Sequence, residues 1–395
     1  MKCISKVASG IAPSATLAIS ALAKEMKANG IDVIGFGAGE PDFPTPTNIK
    51  VAAIKAIVED KSHYTPSSGI LPLKEAICDY LDKSFSLKYK PSQICVSSGA
   101  KHVIYLVLQV LLNPGDEVIL PAPYWVTYAE AIKMAGGIPV IIETTEESRF
   151  KLSPEQLKAA CTEKTKCIIM TNPSNPTGML YSPDEVRALS KVICEEDLYV
   201  IDDEIYAFLT YSGDFLSFAS VSEDMKERTI VVNGVSKTWA MTGWRIGFCA
   251  ANAEISKALS NFTSHSTGNP SNAAQYAAVE AYAGEQLTAI MMRDEFIKRR
   301  RYFVDRVNAM DDVSCLEPDG AFYIFMNVKK TFGKTLSGVK IESSADFCKA
   351  LLEKGLVATV PGNAFGADGY VRWSYATSME NIKEGLDRLE MFLKS

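Results

Sequence analysis

Histidine is scarce in this 395-residue chain, and its cysteines show no organisation. The three histidines, His63, His102 and His265, fall in unrelated segments, which argues against a metal centre built on them. Nine cysteines make an odd count without one C-x-x-C pair. Neither a disulfide framework nor a zinc site is indicated, and reduced thiols in a cytoplasmic protein are the simplest account. Positive charge is not in excess either: 41 lysines and arginines against 47 acidic residues leave a net charge of −6. That balance offers no electrostatic footprint for nucleic acid or an anionic membrane. Repeats and low-complexity tracts are missing, and past the N-terminus no stretch approaches the ~18 uninterrupted apolar residues of a membrane span.

The N-terminal 23 residues carry a weak leader-like pattern, with Lys2 and Lys6 before an apolar stretch that ends in Ala21-Leu22-Ala23. Pro13, Ser14, Thr16 and Ser20 interrupt that stretch, and no disulfide spacing supports an oxidising compartment. The expectation is a cytoplasmic protein.

At this length two or three domains are expected. Short apolar runs at 93–96, 117–120, 139–142, 166–170, 198–201 and 229–232 alternate with helical periodicity at 101–112, 126–134, 182–196 and 253–262. Strands separated by helices predict a mostly parallel sheet joined by right-handed crossovers. The texture changes beyond about residue 285: helical patterns at 286–310, 344–354 and from 380 onward enclose strand patterns at 321–326 and 370–374. The expected division is an N-terminal segment 1–48, a large α/β domain 49–285 and a smaller α+β domain 286–395 with which the N-terminal segment packs.

In open α/β sheets ligands sit beyond the carboxyl ends of the strands. Here those ends are followed by Ser97-Ser98-Gly99, by residues 172–178, by Asp202-Asp203 and by Ser236-Lys237. Gly99, Ala100 and Lys101 open an apolar helix, whose free N–H groups suit an anion, although Ser97 or Ser98 could simply cap that helix. Two other glycine clusters, 35–39 and 333–335, lack the spacing of phosphate loops. Asp203 and Tyr206 would aim a carboxylate and a phenol at one space, and a buried carboxylate calls for a cation. Alternation alone does not choose between Asp203 and Asp202. Two Asn-Pro steps stiffen Asn172-Pro173-Ser174-Asn175-Pro176-Thr177-Gly178. Arg372 stands on one face of an alternating strand, where its fork could take a carboxylate. Lys237 follows the run 231–235 in a polar and aromatic setting that suits Schiff-base chemistry, since crowding and nearby cations lower an amine's pKa.

Taken in order, these segments, with 13–16, 37–43, 64–66, 121–125 and 236–247, resemble the class I (fold-type-I) aminotransferases dependent on pyridoxal 5'-phosphate, and within them the bacterial aspartate or aspartate/prephenate branch. The resemblance covers nearly the whole chain. It implies a large domain with a mostly parallel seven-stranded sheet flanked by helices, plus a smaller α+β domain built from both terminal segments. By the same resemblance Lys237 would form the Schiff base and move protons, and Asp203 would keep the ring nitrogen protonated. Tyr206 and Asn175 would bond the ring hydroxyl, and Trp125 would stack on the ring. Gly99, Ala100, Lys101, Ser236 and Arg245 would surround the phosphate, with Tyr64 reaching in from a second subunit of a homodimer. Arg372 and Gly39 would hold the substrate's α-carboxylate beside Trp125 and Asn175. Ser14, Thr16 and Lys101 match positions that take a distal carboxylate. Gly234 and Ala100 depart from residues common in relatives, so the phosphate would rest on backbone and Arg245.

The implied activity is transfer of the amino group of L-aspartate to 2-oxoglutarate, with prephenate as a further substrate. Another amino-acid scope, aromatic or alanine, and a C–S lyase using the same cofactor and lysine are the alternatives. A cofactor-binding transcriptional regulator is not expected, because the motifs begin within the first twenty residues and no basic patch accompanies them.

Overall fold

A computed structural model describes residues 3–395; Met1 and Lys2 of the leader-like stretch lie outside the described residues. The central sheet has seven strands: β1 (Ile94–Ser97), β2 (Glu117–Ala122), β3 (Ile138–Glu143), β4 (Thr165–Thr171), β5 (Tyr199–Asp203), β6 (Thr229–Gly234) and β7 (Gly247–Ala250), in the order β1-β7-β6-β5-β4-β2-β3. The pairings from β3 through β2, β4 and β5 to β6 are parallel, while β7 runs antiparallel to both β6 and β1. Strands β1 and β6 are buried at every position, as expected where helices cover both faces and the sequence reads as a continuous apolar run.

The six strands expected from the pattern are all present within two residues of their predicted ends. The pattern missed β7, which only the resemblance supplied as a seventh strand. Its four residues, Gly247-Phe248-Cys249-Ala250, carry little β propensity. Glycine is required at its start, because a Cβ on Gly247 would overlap the backbone of Gly99 and Ala100.

A second sheet of three antiparallel strands orders β9 (Val360–Pro361), β10 (Tyr370–Ser374) and β8 (Tyr323–Asn327). Its core joins Trp373, Phe303, Phe347 and Leu386 to Ile34 and Phe36 from the N-terminal segment. Ile34–Gly35 also pairs in parallel with Val357–Ala358. The segment before residue 48 is thereby stitched to the C-terminal third of the chain.

Among the helices, α1 (Ala15–Ala28) occupies the leader-like stretch, α2 (Thr47–Val58) packs on α4 (Asn272–Ala283), and α3 (Ala100–Leu111) follows β1. The sequence pattern had not resolved α1, α2 or α4. Alanine-rich, weakly amphipathic α4 lacks the polar face by which a surface helix is recognised, and six of its residues, including Gln275, are buried. Ser14 stands at the N-cap of α1 without capping it, its hydroxyl lying 3.0 Å from that of Thr16 instead. Among the described residues no helix is long and apolar enough to cross a membrane, and all nine cysteines are free.

Strand β5 separates two carboxylates by alternation: Asp203 faces a cavity at the strand ends, while Asp202 points the other way and accepts from the Phe218 N–H at 3.1 Å. Behind the sheet Asp202 meets Glu204, and Asp202 Oδ1 and both Glu204 carboxylate oxygens have no donor. Burial pushes Asp202 up to about 7 and Glu204 well above its usual range. Unfolded carboxyls titrate near pH ~4, so above that pH the folded chain holds protons that the unfolded chain has released, and stability falls as pH rises. Glu204→Gln removes one such group without changing its shape. Urea unfolding should find this variant close to wild type at pH 5 and more stable at pH 8, gaining about 1.4 kcal/mol for each pH unit over which only the folded wild type keeps the proton; equal stabilities at both pH values would contradict this.

Candidate active site

A cavity of about 460 Å³ opens where the carboxyl ends of β4, β5 and β6 meet the start of α3. Its walls include Ser14, Thr16, Gly39, Ala100, Lys101, Trp125, Asn175, Asp203, Tyr206, Ser236, Lys237, Arg245 and Arg372. Of the residues singled out from sequence, Gly99 and Tyr64 are not in the wall. Gly99 lies directly behind Arg245 with φ +87°, and a side chain there would overlap the guanidinium. Tyr64 is 98% exposed and borders a separate groove with His63, Asn269 and Pro270.

Lys237 follows β6, and its amine donates to the Gly39 carbonyl at 2.6 Å. Burial lowers its pKa to about 8; the positive charges of Arg245 and Arg372 push the same way, against Glu40 and Asp203. Asp203 is 3% exposed, and accepts from the Tyr128 hydroxyl at 2.7 Å and the Ile205 N–H at 3.2 Å. Burial nevertheless raises its pKa to about 6, with those two donors acting in opposition. A carboxylate so placed is stabilised by any cation entering the cavity.

Arg372 is fully enclosed, and its nearest polar partners carry no charge. It donates to Asn175 Oδ1 and to the Gly37 carbonyl, both at 2.9 Å, while its Nε has no acceptor. Arg245 donates to the Thr242 and Ser98 carbonyls at 2.8 and 3.2 Å, beside the N-terminus of α3. The first N–H groups of a helix have no partner within it, so cation and helix end together form an anion seat. The Lys101 amine lies 5.0 Å from the centre of the Trp125 ring, and burial lowers its pKa, with Arg245 adding to the effect.

Sequence reasoning missed several wall residues: Tyr128, Thr171, Tyr323, Glu40, and on α1 Leu17, Ser20 and Lys24. Tyr128 had a signal, standing one helical turn past Trp125. Thr16, Ser20 and Lys24 likewise repeat every four residues, but α1 had not been read as a helix. Tyr323 had none, since its place depends on how β8 pairs with β10.

The sequence profile of the family described as "Aminotransferase class I and II" matches residues 31–389. The chain is similar to an aspartate aminotransferase of Bacillus sp. (strain YM-2), 48% identical over 97% of both chains. It is also similar to an aspartate/prephenate aminotransferase of Nitrosomonas europaea, 42% identical over 99% of both. The solved structure of aspartate aminotransferase from Thermus thermophilus with maleate superposes with a TM-score of 0.93 at 37% identity, covering 99% of each chain.

A buried amine with a pKa near 8 should outcompete surface lysines for a small aldehyde. Reductive trapping of the cofactor-free protein, followed by peptide mapping, should mark Lys237 first, with a rate that climbs as pH passes through about 8. Uniform labelling of lysines would contradict the assigned environment.

Proposed function

This chain belongs to the class I and II aminotransferases, enzymes that work with pyridoxal 5'-phosphate, and on that premise we propose that it transfers the amino group of L-aspartate to 2-oxoglutarate and also accepts prephenate. The observation that carries the reading is the enclosure of Lys237, Asp203, Arg245 and Arg372 in one cavity with Lys101 and the Ser14–Thr16 pair. The residues fit the cofactor on three counts: a buried carboxylate destabilised for want of a cation, an arginine at a helix N-terminus, and an amine whose pKa burial has brought near neutrality.

When bound, the cofactor supplies a conjugated, cationic ring that draws off the electron pair left at the substrate's Cα. Asp203 would hold the proton on the ring nitrogen, itself fixed by Tyr128. Asn175 spends its Oδ1 on Arg372, which leaves its amide hydrogens for the ring hydroxyl, and the Tyr206 hydroxyl, 2.8 Å from that of Tyr323, would approach it from another side. Trp125 would cover the ring. The backbone at Gly99, Ala100 and Lys101, with Ser236 and Arg245, would seat the phosphate. Lys237, neutral for an appreciable fraction of the time at physiological pH, would take the proton from the substrate's Cα and deliver it to the cofactor's C4′; such positioned transfer is worth roughly 10²–10⁴ in rate. Arg372 and Gly39 would grip the α-carboxylate. Ser14, Thr16 and Lys101 would take the distal one, consistent with the maleate in the Thermus thermophilus relative.

The smaller domain 286–395, together with residues 1–48, would close over a bound dicarboxylate. Its shared core with Ile34 and Phe36 supports that division. A homodimer is proposed on the outer face of α2, where Val51, Ile54, Ile57 and Val58 are each more than half exposed and Ile57 lines one groove with Tyr64. Isolated apolar residues are ordinary on a surface, but four exposed on one twelve-residue helix suit an interface.

An absorbance spectrum from ~300 to ~500 nm, before and after adding L-aspartate and then L-alanine, tests the reaction. Aspartate should convert the visible band of the lysine-bound cofactor to a shorter-wavelength form, and alanine should do so poorly. Lys101→Ala should cut the preference for aspartate over alanine by at least ~10-fold, since a charge-assisted bond is worth about 1.5–3 kcal/mol. A band unmoved by both amino acids, or pyruvate and ammonia released from a cysteine-type substrate, would favour the lyase. Subunit sharing has its own test. Mixing Lys237→Ala and Tyr64→Ala proteins, unfolding and refolding them together, should restore activity above the mean of the two parents, because a mixed dimer holds one intact site. No restoration would place Tyr64 outside the site.

A further inference from the structure

Two phenols meet at the floor of the cavity. The hydroxyls of Tyr206 and Tyr323 lie 2.8 Å apart, on rings 5.8 Å apart that cross at 81°, and the residues are 4% and 1% exposed. Each phenol owns a single hydrogen, so one donates to the other and only the acceptor keeps its hydrogen for something else. Which way the bond runs decides whether Tyr206 can donate to a ligand.

The guanidinium of Arg372 settles the direction. Its central carbon sits 4.5 Å from the centre of the Tyr323 ring, over its face. A positive charge there draws electron density from the phenol and makes its hydroxyl the better donor. Burial raises the pKa of both phenols, but for Tyr323 the charge of Arg372 is the leading opposing influence, whereas for Tyr206 it ranks behind the upward push of Tyr323 itself. Tyr323 cannot withdraw, because Phe322 and Tyr206 pack against its ring and its oxygen lies against Gly39, where an added Cβ would come within 3.0 Å.

We propose that Tyr323 is a positioning residue that donates its hydroxyl hydrogen to Tyr206, frees the Tyr206 hydrogen for the ring hydroxyl of the cofactor, and so couples occupancy of Arg372 to that hydroxyl. The inference rests on the aminotransferase reading. A carboxylate arriving at Arg372 neutralises the charge over Tyr323, weakens its donation and leaves Tyr206 a poorer donor. This route runs beside the direct contact of Arg372 with Asn175, through a residue whose hydroxyl, among the described residues, bonds only to Tyr206.

The experiment is a pH titration of the visible band of the cofactor-loaded enzyme, with and without maleate, in wild type, Tyr323→Phe, Tyr206→Phe and the double variant. Phenylalanine keeps the ring under Arg372 and removes only the hydroxyl. Tyr323→Phe should raise the midpoint by about half a unit to one unit, the size of one neutral hydrogen bond, and should shrink the further rise that maleate causes. In the Tyr206→Phe background the second substitution should add nothing, the non-additivity expected of residues acting in series. A Tyr323→Phe midpoint and maleate shift equal to wild type, or an undiminished effect in the Tyr206→Phe background, would overturn the inference alone. Absence of a visible band in the loaded wild type would overturn the reading beneath it, and this inference with it.

Discussion

A guanidinium buried without a carboxylate partner holds this site together. Arg372 reaches from β10 to the Gly37 carbonyl near the N-terminus and to Asn175 in the loop after β4, tying three segments far apart in sequence. Placing a charge where water cannot reach it costs several kcal/mol unless dipoles or an opposite charge answer it. Carbonyl dipoles and two aromatic faces, Tyr323 and Phe365, answer it only in part, and Nε has no acceptor. The fold thus keeps a standing demand for an anion at one fixed point, and the geometry of Asn175, Tyr323 and Gly37 follows from meeting that demand.

The opposite deficit lies on β5. Asp203 carries negative charge into the same cavity with hydroxyl and amide donors but no close ion pair, while Lys237 holds a proton only loosely for the same reason of burial. These three groups share one enclosed space in which each is less stable than it would be in water. A cofactor that brings a cationic ring nitrogen and a carbonyl carbon for the amine, with a substrate that brings a carboxylate for the arginine, relieves all three together. Specificity for such a ligand therefore arises from incomplete solvation in the protein, as much as from complementary shape.

The strands that carry these groups were legible because each is a short apolar run ended by polar residues, and burial on both faces leaves little else such a run can become. β7 was not legible: it is brief, begins with glycine and exists because Gly99 and Ala100 need backbone, with no side chain, to lie against. Helix α1 was misread for a related reason. Its polar residues Ser14, Thr16 and Ser20 look like interruptions of an apolar stretch, whereas in the fold they line the cavity. Helix α4 showed no polar face because it is buried among others.

Sequence alone determined which residue types follow which strands, and hence that a lysine, a carboxylate and two asparagines gather at one rim, because the carboxyl ends of parallel strands share an edge; the two arginines were assigned to it only by the resemblance. Alternation could not choose between Asp202 and Asp203, although the resemblance pointed to Asp203. Alternation puts neighbours on opposite faces without saying which face holds the cavity, and only the packed structure sends Asp203 inward and Asp202 toward Phe218. Tertiary structure also decided everything that depends on contact between distant segments: the Lys237 amine on Gly39, Tyr128 on Asp203, and Tyr323 between Arg372 and Tyr206. Local sequence fixes the direction of a side chain relative to its own element, while its neighbours are set by the burial of the whole chain.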